Sequence, residues 1–171
     1  MWSKLAWDSD LFGDLQRDYP DEREPLAFAA INVCISASSL ENWVVATIKR
    51  RQRDIVGKIS RDVLVGLREA IPQQAMCVAI ANTSKHANHA EGAWPEGEVR
   101  LDWEDGEHAP PGFVLRHFHG AQIGETFAIN GFIELVEHWW LYLLKNSLVD
   151  PAQRTPEWRS RKLARLFDAP P

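Results

Sequence analysis

Between Pro25 and about Arg51 the chain contains neither Gly nor Pro, while Phe28, Ile31, Cys34, Ile35, Leu40, Trp43, Val44 and Ile48 recur through it. Steps of three and four residues place these groups on a broad helical face. Pro25 suits a first turn, because its missing N–H would have no intrahelical acceptor. A helix so long and so apolar must be wrapped by other elements, so it is expected at the centre of a helical domain.

The flanking segments supply the wrapping. Leu5, Leu11, Phe12 and Leu15 lie near helical spacing over residues 3–18, and Tyr19-Pro20-Asp21 ends that segment. Ser60 is placed to cap a third helix carrying Val63, Leu64, Leu67 and Ile71, closed by Pro72. A fourth runs from about Gln73 to Ala90 and stops at Gly92. From there the period changes: Val99, Leu101 and Trp103 alternate with charged residues, as do Phe113, Leu115 and, less cleanly, His117 and His119. With turns at Asp105-Gly106 and Pro110-Pro111-Gly112, this predicts two or three short antiparallel strands. Helical spacing returns at Asn130–Leu148, with Phe132, Leu135, Val136, Trp139, Trp140, Leu143 and Leu144, and ends at Asp150-Pro151. The expected fold is mainly α: a bundle of four to five helices with a small antiparallel β insert near 97–128. Residues 1–150 form the domain, and 151–171 form a basic amphipathic C-terminal tail.

At 171 residues, 45% apolar and 25% charged, the chain has the composition of one globular domain and not of a disordered or collagen-like protein. Its net charge of −5 argues against a generic polyanion binder, but the charge is uneven. Residues 49–62 carry 6 basic and 2 acidic side chains, 91–107 carry 1 and 7, and 151–171 carry 5 and 2. The acidic run Glu96, Glu98, Asp102, Glu104, Asp105 and Glu107 fits a hairpin kept soluble better than a mimic of nucleic-acid phosphate. Cys34 and Cys77 are too few for a disulfide framework or zinc knuckle and sit in apolar stretches, which suits a reducing, cytoplasmic compartment. The start lacks the apolar region of a signal peptide. The stretch Leu26–Leu40, interrupted by Asn32, Ser36, Ser38 and Ser39, is shorter than a membrane span, so no membrane association is expected.

One constellation carries candidate chemistry. On a helix Asn82, Lys85, His86 and His89 are three or four residues apart, so an amide, an ammonium and two imidazoles share a polar strip. Such groups can hold an RNA phosphate, and a histidine near its ordinary pKa can move a proton from a 2′-hydroxyl or to a leaving oxygen. The same strip also suits the wet side of a helix with a histidine near its C-terminus. His86 with His89, or His117 with His119, offers two nitrogens to zinc. A site needs three or four ligands, and no HExxH or CxxC is present, so no metal and no cofactor are expected. The absence of GxxxxGK[ST], GxGxxG and GxSxG leaves P-loop, dinucleotide and serine-hydrolase chemistry without residues.

The order of a long Trp-bearing helix, a helix carrying Ile80-Ala81-Asn82-x-x-Lys85-His86, a short strand insert and a Trp-rich final helix resembles a group of bacterial and phage proteins. These in turn are similar to the HEPN superfamily, the likeness covering roughly residues 24–148. The resemblance implies a helical domain acting on RNA or nucleotides in a bacterial or phage conflict setting. It also implies metal-independent endoribonuclease activity from motifs paired across a homodimer. Asn82 matches the motif's polar position and His86 its histidine. The arginine does not match: Ala81 and Val78 stand where it is expected. Without a guanidinium to clamp phosphate, transition-state stabilisation falls by the order of several kcal/mol unless Lys85 substitutes. The alternative is a non-catalytic homodimeric interaction protein that has lost the arginine. A homodimer is expected on either reading, because residues 26–48 and 132–144 carry more apolar groups than one domain buries. In the tail, Trp158, Leu163, Leu166 and Phe167 form an apolar stripe beside Arg159, Arg161, Lys162 and Arg165. Docking onto its own domain is the favoured outcome, and a groove of a protein partner or nucleic acid is the other.

Overall fold

The computed structural model describes residues 1–52, 58–85, 97–106, 111–119 and 122–167. In it the Gly-free, Pro-free segment forms a single helix, α2 (Arg23–Gln52). Its buried positions Leu26, Ala30, Val33, Ala37, Leu40, Val44 and Ile48 step by three and four residues along one face. Alanines at 29, 30 and 37 let neighbouring helices approach closely, and α2 packs between α1 (Trp2–Asp18) and α4 (Gln74–Lys85). The breadth of the expected apolar face is reduced, since Phe28 is 64% and Trp43 47% exposed. Arg23–Arg51 is long and apolar enough to cross a bilayer, yet 56% of its most apolar window is buried within the fold, as in a core helix.

Helix α5 (Ala128–Lys145) closes the bundle against α1. Trp2 meets Trp140 at 4.8 Å between ring centroids, and Phe12 meets Phe132 edge-to-face at 5.1 Å. Residue numbers rise on one helix as they fall on the other, so the two run antiparallel. Each pair contributes about 0.5–1.5 kcal/mol beyond its area burial. The buried Leu5, Leu135, Trp139 and Leu143 extend the same seam.

Helix α3 (Lys58–Ala70) begins two residues before Ser60, which therefore lies inside its first turn and is not its N-cap. The chain then bends by 113° into α4. Pro72 explains the corner, because its ring disfavours helical backbone at Ile71 and it has no N–H to donate. The amides of Ile71 and Gln74 still bond back to the carbonyls of Leu67 and Ile71.

The β insert is a three-stranded antiparallel sheet in the order β1 (Gly97–Glu104), β2 (Gly112–His119), β3 (Gln122–Phe127). Leu101 pairs with Leu115 and Trp103 with Phe113, so the alternating apolar residues share the face turned to the core. Three acids of the expected acidic run are paired locally with two arginines. Arg116 pairs with Asp102 at 3.1 Å and with Glu104. Arg23 pairs with Asp105 at 2.5 Å while lying 5.1 Å from the Trp103 ring. Those three carboxylates hold the sheet to itself and to α2. Strand β3 runs directly into α5, so that helix begins at Ala128, two residues earlier than its spacing predicts.

The tail does not extend into solvent. A 3-10 turn, Pro151–Arg154, capped by Asp150 through the amide of Ala152, leads into α6 (Glu157–Phe167), which docks on α1. Trp158 lies edge-to-face on Trp7 at 4.9 Å and donates to the Ser3 hydroxyl at 3.2 Å. Lys162 reaches both Asp10 and Asp14 at 2.5 Å, and Arg154 reaches Glu137 on α5 at 2.9 Å. Burial works against the Lys162 charge, but the two carboxylates more than offset it and raise its pKa.

Candidate functional site

Helix α4 carries Asn82 and Lys85, two of the four residues of the predicted strip, at its C-terminal end. Asn82 is half-buried there, and Lys85 is the last residue of the helix, its side chain outside the described residues. His86 and His89 also lie outside the described residues. The structure thus places Asn82 and Lys85 three residues apart on one helix. His117 and His119 occupy β2 register positions opposite Val99 and Gly97, two residues apart on the strand. Among the described residues no group of three or more His, Cys, Asp or Glu side chains is arranged to hold a metal ion.

The positions where an arginine is expected have a clear structural role. Ala81 is fully buried and Val78 is 9% exposed, both within the apolar interior. A guanidinium at Ala81 would have to displace packed side chains and leave its charge without water, so this α4 surface is built without a phosphate clamp at either position.

At its other end α4 carries a polar network that residue spacing did not reveal. Gln73 and Gln74 stand just past the Pro72 corner and are both buried. Gln74 donates to the Ala37 carbonyl at 3.1 Å and accepts from Trp139 Nε1 at 2.8 Å, joining α4 to α2 and α5. Gln73 Nε2 donates to Glu134 at 2.7 Å. Its Oε1 lies 3.1 Å from His138 Nδ1. A carboxylate only accepts, so the amide nitrogen must face Glu134 and the amide oxygen must face His138. His138 Nδ1 therefore carries the hydrogen, and in the neutral ring Nε2 holds the lone pair. Glu134 and His138 are four apart on α5, a detectable spacing, but Gln73 joins them only because the chain turns at Pro72.

Two further polar groups tie the helices together. Asp8, Ser36 and Lys4 form a closed set between α1 and α2: the Ser36 hydroxyl donates to Asp8, and the Lys4 ammonium reaches Asp8 at 2.5 Å and Ser36 Oγ at 2.7 Å. Ser36 is wholly buried, which suits an interhelical clamp and not a nucleophile open to substrate. Glu41, 5% exposed on α2, meets Arg68 of α3 at 3.3 Å. The thiols of Cys34 and Cys77 are free and buried where α2 meets α4. Their mutual hydrogen bond and the burial push the Cys34 pKa well above the usual thiol range. No protein-family model, curated protein or solved structure matches this chain.

Proposed function

We propose that this chain is a HEPN-like helical domain that acts on RNA or nucleotides by binding, as a homodimer, and not by cleavage through its α4 strip. The observation that carries this reading is the burial of Ala81 and Val78: the positions expected to hold a phosphate-clamping arginine serve the core. Binding without chemistry needs only cations and aromatic faces at the surface, and exposed Trp7, Trp43 and the arginines of α6 meet that need. Phe28 and Trp43, left at the surface of the central helix, support a twofold contact along α2. The second reading is a metal-independent endoribonuclease. It is favoured by the half-buried Asn82 on the same helix as Lys85, and it would assign proton transfer to His86 and phosphate contact to Lys85.

Purified protein incubated with total RNA in EDTA separates the two, run beside the His86→Ala variant. Intact RNA in both samples, with RNA retained by the protein, agrees with the binding module. Cleavage that disappears in His86→Ala establishes the enzyme.

A further inference from the structure

The docking of α6 on α1 builds a cavity of about 530 Å3 lined by Trp7, Leu11, Trp158, Arg161 and Arg165, together with Lys162 and its two partners Asp10 and Asp14. We infer that this cavity is a contact site for single-stranded RNA, with a base stacked on Trp7 and the flanking phosphates held by Arg161 and Arg165. The inference rests on the RNA reading above and gives it a location.

The indole pair supplies the stacking surface. Trp7 and Trp158 meet at an interplanar angle of 77°, so one ring stands against the other, and Trp7 remains 49% exposed. A half-open indole beside a cavity of this size suits a flat heteroaromatic ring, and stacking accepts any base because every base has a π-face. The cations are arranged to leave two arginines available. Lys162 turns to α1 and is held by Asp10 and Asp14. Arg161 has only a loose, exposed contact with Glu157 at 3.9 Å, and Arg165 forms no ion pair among the described residues. Arg161 and Arg165 are about one turn, or ~6 Å of axial rise, apart and so face the same occupant. Helix α6 carries Arg159, Arg161, Lys162 and Arg165 against a single acid, Glu157, in a chain whose net charge is −5. With Asp10 and Asp14 counted against Arg161, Lys162 and Arg165, the cavity lining keeps one net positive charge, carried by arginines that Asp10 and Asp14 do not pair. A ring joined to an anion is the chemistry of a nucleotide. An anionic lipid surface would satisfy the arginines but not the concave seat beside Trp7.

The test is fluorescence anisotropy of a labelled oligouridylate of about 10 nucleotides. It is run with the full chain and with Arg161→Gln/Arg165→Gln and Trp7→Leu, each checked for native circular dichroism, and with Trp7→Phe as the conservative control. Expected is binding by the unaltered chain, weakened about tenfold by the double arginine change with a shallower salt dependence. Trp7→Leu should weaken it about five- to tenfold, and Trp7→Phe should restore most of the loss. Binding that all variants retain overturns this location and leaves the RNA reading intact. No binding by the unaltered chain overturns both. Equal displacement of the oligonucleotide by polyphosphate of matched charge overturns the stacking role. Attachment to phosphatidylserine vesicles without oligonucleotide binding overturns the site in favour of a lipid surface.

Discussion

Trp139 Nε1 donates to Gln74 Oε1 at 2.8 Å where both residues are wholly buried, and Gln74 passes its own N–H to the Ala37 carbonyl. One amide thus joins the central helix, the helix after the Pro72 corner and the closing helix. Gln74→Ala leaves the indole N–H without a partner in the core and opens a cavity. Equilibrium denaturation should show a loss of about 2–4 kcal/mol. Gln74→Glu, which retains an acceptor but buries a charge, should not restore the stability.

The C-terminus of α5 uses a left-handed residue that is not glycine. Ser147 has φ 52, its amide bonds to the Leu144 carbonyl, and the Leu148 amide bonds to the Leu143 carbonyl, the paired pattern of a Schellman motif. Glycine reaches this backbone conformation without the Cβ penalty. Ser147→Gly is expected to raise stability by about 0.5–1 kcal/mol, read as an increase in denaturation midpoint.

The two thiols should be silent in the folded protein. Cys34 and Cys77 are buried, and the raised Cys34 pKa keeps that thiol protonated. A thiol reagent at neutral pH should label neither until denaturant is added. The pH dependence follows the same shift. A thiol whose pKa is higher folded than unfolded stabilises fully below the unfolded value of about 8.5, and the contribution declines as pH rises through the folded value. Cys34→Ser should flatten the alkaline loss of stability.

The tail acts within the molecule through Trp158 and Lys162. Deleting residues 152–171 removes the Trp7–Trp158 contact and exposes Asp10 and Asp14 to each other, so the melting temperature should fall by about 4 °C or more. Lys162→Ala alone should cost about 1 kcal/mol. The raised lysine pKa means that its contribution is complete below the ordinary value of about 10.4 and is lost as pH climbs through the folded value. An unchanged melting temperature after deletion would contradict the docked arrangement.

What the linear order of residues determined is the set of elements and their kind. The recurrence of Phe28, Ile31, Cys34 and Ile35 in a stretch without Gly or Pro specified a helix, but the face it buries, through Leu26, Ala30, Val33 and Ala37, was set by packing, which left Phe28 exposed. The alternation of Val99, Leu101 and Trp103 permits only a strand with one face inward. These patterns are local because they follow from backbone geometry over a few residues. Tertiary structure alone decided which side chains meet. Gln73 reaches His138, 65 residues away, and Lys162 reaches Asp10, 152 residues away, only after the Pro72 corner and the α6 turn bring distant segments together. The burial of Ala81 was likewise invisible in the sequence. An alanine between Ile80 and Asn82 suits a wet face or a packed one, and only the approach of α2 settles which. Hydrophobic periodicity records each element's own demand for burial, whereas a polar pair depends on where two elements finally cross.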